Sequence, residues 1–199
     1  MLIKKDIEEL KQIKGMIKGE NIKENFKCFL IMEGKNGLEK LEERMKELDF
    51  LTDYRNLENV KWYPLGNDVA IIALAAEVFG WDESKLKEFG RYFVKASFAE
   101  KIFIKYFISA KKMFTTASEH WKRHFTVGDL TLKELNLKKK YAILELKDFD
   151  VRQASYCQML MGFFEGTTLL TISSENIWTE ETKCMTRGDE FHEYKLSWR

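Results

Sequence analysis

An α+β fold is predicted from three features of the chain. Helix-period segments crowd its first part, alternating strand-like segments crowd its last part, and one helix-like run lies between two strand pairs. Helices segregated from strands in this way point to an antiparallel sheet of about four strands, with a helix crossing between its two hairpins. At 199 residues the chain is long enough to bury a full core without staples. Residues 1–75 read as a helical N-terminal layer and residues 76–199 as the α+β portion, the two together forming one compact unit.

The elements follow from local pattern. Residues 4–14 form a short amphipathic helix, with Ile3, Ile7, Leu10 and Ile13 on one side. Gly15 to Gly19 breaks it. Phe26, Phe29, Leu30 and Met32 mark a second apolar segment ending near Gly34, with Cys28 inside it as a core thiol. From Gly37 to Leu48, Leu38, Leu41, Met45 and Leu48 recur at helical spacing and the other face is charged and solvated. Pro64 is the only proline and a natural break. A helix begins at Asn67 and Asp68, runs through Val78 and stops at Gly80. Asp82 then caps a helix carrying Leu86, Phe89, Phe93 and Val94. The stretch from Phe98 to Phe125 is helical in period, with a boundary near Thr115-Thr116. Thr126 to Leu135 and Lys140 to Leu146 read as strands, with Leu130 and Leu132 on one face and Ala142, Leu144 and Leu146 on one face.

Composition excludes several classes. With 33 basic against 32 acidic residues, the chain offers no footprint for nucleic acid. Lys138-Lys139-Lys140 is explained by a hairpin turn. Three Cys, an odd number, and a single Pro argue against a disulfide framework and for a reducing, cytoplasmic setting. No apolar run long enough to span a membrane occurs, and no signal peptide is expected after Met1. His120 and His124 stand four apart on one helix face but lack a third ligand. No phosphate loop and no nucleophile-base pair can be assembled, so no catalytic residue is assigned. The aromatic supply between Phe79 and Phe125 makes a core that could also line a pocket for a small hydrophobic or aromatic ligand.

The last fifty residues carry the chemistry. A hairpin folded at Arg187-Gly188-Asp189 brings Cys184 and His192 side by side on one face. His192 heads an apolar row with Tyr194, Leu196 and Trp198, and Cys157 lies in line with Leu160, Met161 and Phe164 on a helix packed against that hairpin. Two soft ligands on one face are half of a tetrahedral metal site. Glu181 and Cys184, three apart, fall on opposite faces of a regular strand. Either a bulge re-aims one of them, or Glu180 is the carboxylate that shares the face of Cys184.

Cys157, with Gly162 and Gly166 five and nine positions on, then Glu181-x-x-Cys184, Gly188-Asp189 and His192, resembles the carboxy-terminal signature of 4-vinyl reductase domains. Those domains also form the sensory portion of aromatic-responsive bacterial activators. His192 stands where the sensor domains have Cys, and the interval from Cys157 to Cys184 is one residue longer. The resemblance covers only about the last fifty residues. It implies a structural zinc held by Cys157, Glu181, Cys184 and His192, a small hydrophobic ligand and a homodimer. It further implies a stand-alone binding module, with an enzyme or accessory protein of tetrapyrrole metabolism, or a dimeric scaffolding subunit, as alternatives. Nitric-oxide-sensing haem domains resemble the same fold class. Their Tyr-x-Ser-x-Arg motif does not occur here, which argues against haem.

Overall fold

A computed structural model describes residues 1–50, 53–98, 109–172, 174 and 176–199. Helix α1 (Lys4–Lys11) leads to a three-residue strand β1 (Met16–Lys18), and then to the long helix α2 (Gly19–Glu47). Gly34 bends α2 with a φ of 70°, a left-handed conformation that glycine tolerates. The two apolar segments read on either side of Gly34 are thus the two arms of one kinked helix. Strand β2 (Trp62–Pro64) pairs antiparallel with β1, Ile17 opposite Tyr63. Sequence reading took both stretches as mere breaks, because three residues are too few for alternation to register.

Helix α3 (Leu65–Phe79) is buried from Leu65 to Ala75 apart from half-buried Asn67. It ends at Gly80 in the left-handed conformation. Asp82 caps α4 (Glu83–Phe98), accepting from the Lys85 N–H at 2.8 Å. Helices α5 (Ala110–Thr115) and α6 (Ala117–His124) meet at Thr116, where the sequence places a boundary. The part of the predicted Phe98–Phe125 helix over 99–108 lies outside the described residues.

The second part is a four-stranded antiparallel sheet, order β3-β4-β6-β5, of β3 (Asp129–Asn136), β4 (Tyr141–Lys147), β5 (Ile177–Lys183) and β6 (His192–Trp198). Helix α7 (Ala154–Leu169) crosses from the first hairpin to the second. Its Phe164 ring packs 4.8 Å from that of Tyr194 on the inner face of the sheet. On its other side α7 lies against α4 at backbone contact. A Cβ added at Gly162 would stand 1.9 Å from the Lys87 carbonyl oxygen, and one at Gly90 would stand 2.1 Å from that of Met159. The face of α7 that carries Gly162 and Gly166 is covered by α4 of the same chain. Among the described residues, no helix is long and apolar enough to cross a membrane.

Candidate functional sites on either side of helix α7

Cys157 is on the first turn of α7, Glu181 near the end of β5, Cys184 just beyond it, and His192 at the start of β6. One ligand atom from each lies within 4.8 Å of every other. The Cys157 and Cys184 sulfurs are 3.7 Å apart, and His192 Nδ1 is 3.0 Å from Glu181 Oε1. A bulge makes this possible. Glu181 pairs with Tyr194 and Lys183 with Glu193, leaving Thr182 out of the ladder and turning Glu181 toward the thiols. Glu180 pairs with Lys195 instead and is exposed. The strand ladder stops at Lys183, so Cys184 is not a ladder partner of His192. A one-turn 3-10 helix over Met185–Arg187 and a left-handed Gly188 close the loop, and Asp189 accepts from the Cys184 N–H at 2.8 Å.

The cluster is largely buried. Cys157, Cys184 and His192 are 3%, 1% and 1% exposed. Burial, followed by the Glu181 carboxylate and Cys184, pushes the Cys157 thiol far above its ordinary range. His192 Nε2 is buried and has no hydrogen-bond partner among the described residues. A cation there would supply what burial removes, since it favours thiolate over thiol.

On the other side of α7 is a cavity of about 280 Å³, between α2, α6, α7 and the sheet. Its apolar wall includes Phe93, Met113, Trp121, Met159, Phe163 and Phe164. Its polar wall centres on Asp68, 1% exposed on the first turn of α3. Asn25 Nδ2 donates to Asp68 Oδ1 at 2.8 Å, and the Tyr156 hydroxyl donates to Oδ2 at 3.1 Å. Desolvation nevertheless raises the Asp68 carboxyl to about 7, against both hydrogen bonds. His120 and His124 line the cavity as well, His124 Nδ1 standing 3.3 Å from Glu20 Oε1. They take no part in the thiol cluster. Sequence reading passed over Asp68 as a helix start. Its signal was a carboxylate directly ahead of the unbroken apolar run Val69–Ala76.

No family model matches the chain, and no curated protein is similar to it. Solved structures do match over nearly its whole length. An H-NOX protein from S. oneidensis in the Fe(II) ligation state aligns with a TM-score of 0.69 at 14% identity, covering 92% of this chain and 96% of its own. An oxygen-binding H-NOX domain related to soluble guanylate cyclases aligns with 0.64 at 16%, covering 92% and 95%. A third structure, from work on haem distortion in the H-NOX family, gives 0.66 at 15%, covering 92% and 95%. The chain therefore has the H-NOX fold.

This corrects the resemblance to 4-vinyl reductase domains and the zinc drawn from it. The similar structures are H-NOX proteins, described by their iron and haem rather than by zinc. The physical reason is scale. A helix-plus-hairpin with thiols at given offsets is a local motif that different families can carry, whereas a match over 92% of the chain tests its whole path.

Proposed function

We propose that this chain is a sensor-type domain that binds a small molecule, and that its ligand occupies the cavity between the helices and the sheet. The observation that carries the reading is the cavity itself: about 280 Å³ of space walled by aromatic and methionine side chains, with one buried carboxylate. Ligand sites have this make-up, an apolar wall with few polar groups. A core filled solid would have favoured the scaffolding alternative. The tetrapyrrole alternative came with the family resemblance and falls with it.

Haem, which the similar structures carry, does not suit the described lining. Haem brings two carboxylates, and the described lining offers Glu20, Glu24 and Asp68, with His120 and His124 but neither Lys nor Arg. Like charges facing each other in a low-dielectric wall are unfavourable. The cavity also falls just below the range of about 300–1,000 Å³ usual for drug-sized ligands. A compact, largely apolar molecule suits it. Native mass spectrometry of the purified chain tests this, with a Leu160→Trp variant that fills the cavity from α7. A bound apolar molecule retained by the native chain and lost in the variant is expected. Equal behaviour of the two contradicts the reading.

A second reading rests on a separate observation, the four convergent ligand atoms of Cys157, Glu181, Cys184 and His192. We propose that these residues hold a metal ion. Four protein ligands leave no open position, which suits a structural role tying α7 to the final hairpin.

A further inference from the structure

We propose that the cavity selects a small apolar molecule carrying a protonated amine, held at Asp68. The inference rests on the cavity being the ligand site and adds the chemical class of the ligand. The three carboxylates of the described lining are not equivalent. Glu20 stands 3.3 Å from His124 Nδ1, and Glu24 stands 3.0 Å from Lys27 Nζ. Asp68 is the most buried of the three and makes no ion pair among the described residues. A carboxylate has about four acceptor positions, and only the Asn25 and Tyr156 donors occupy any here. Buried charge is ordinarily paired. An ammonium group reaching Asp68 completes the pair.

Two further features suit a cation. Ser97 Oγ is a cavity-lining hydroxyl oxygen, fully buried and without a hydrogen-bond partner among the described residues. The Ser97 hydroxyl is able to accept from an ammonium. The remaining wall is aromatic, with Phe93, Trp121, Phe163 and Phe164 presenting rings that attract a cation and cover an apolar body. An anionic ligand would face Asp68 and Glu24 with no compensating Lys or Arg in the described lining.

The test is calorimetric titration of the full chain with phenethylamine, phenethyl alcohol and hydrocinnamate, which share a body and differ in charge. Phenethylamine is expected to bind about tenfold more tightly than the alcohol, and hydrocinnamate least, because a tenfold preference needs only one well-placed charged contact. In Asp68→Asn that preference should collapse. If the variant does not fold, the three probes on the native chain still decide. Amine and alcohol binding equally, or an unchanged amine preference in Asp68→Asn, overturns the inference and leaves the cavity reading standing. Failure of all three probes overturns both.

Discussion

Tyr156 and Cys157 are consecutive on α7 and serve different sites. The Tyr156 hydroxyl donates to Asp68 at the cavity, while the Cys157 sulfur lies 3.7 Å from that of Cys184 on the sheet side. Successive residues of a helix point about 100° apart, so one helix can wall two sites. Its position is fixed by α4 on one side and the sheet on the other, and both sites depend on that packing.

The α4–α7 contact predicts a severe effect for Gly162→Ala. A Cβ would stand 1.9 Å from the backbone carbonyl of Lys87, which no side-chain rotation relieves. Overpacking of this kind costs about 3 kcal/mol, while the better helix propensity of alanine returns only about 1 kcal/mol. The variant should therefore unfold at lower urea concentration than the parent.

The thiol cluster predicts that Cys184→Ser loses bound metal. A ligand present at a hundredfold its dissociation constant stabilises a fold by about 2.7 kcal/mol, which for a chain of this size is about 5–10 °C in Tm. Cys28→Ser, whose thiol is buried in the helical core away from the cluster, should keep the metal. Metal analysis with thermal melts checks both, and reports which metal is bound.

Asp68 predicts a pH dependence of defined sign. Its folded pKa of about 7 lies above the unfolded value of about 3.9. Between these values the folded chain binds the extra proton, so this group's contribution to stability falls as pH rises from about 4 to 7 and is flat beyond. Asn25, Tyr156, Glu20, Glu24, His120 and His124 face the same cavity, so the comparison must be with Asp68→Asn. The stability of the variant relative to the parent should rise across that window. The amide can still accept from Asn25 and donate to the Tyr156 oxygen, which keeps the cluster satisfied.

The carboxylate-lined cavity predicts that added haem gives no absorption band of a protein-bound haem. Titration followed by visible spectroscopy is sufficient to check it.

Much of this fold was legible because its signals are local. Gly80 and Asp82 mark a helix end and a helix start, and Thr116 separates α5 from α6 where the sequence sets the break. The bulge at Thr182 was legible as one of two requirements, since only a bulge or Glu180 could put a carboxylate beside Cys184. The cavity was not. Asp68 is met by Asn25 from 43 residues earlier and Tyr156 from 88 residues later, and no spacing rule links them. The family resemblance erred for the opposite reason, since it read a family from one local constellation.

The claim on which the rest depends is that a small molecule enters the cavity, and methionine-methyl NMR tests it most directly. Met113 and Met159 line the cavity, whereas Met45 is buried in the core and Met185 lies in the loop after Cys184. Titration with phenethylamine or phenethyl alcohol should move the Met113 and Met159 methyl signals and leave those of Met45 and Met185 in place. Signals at Met113 and Met159 that stay fixed with both probes would contradict the account.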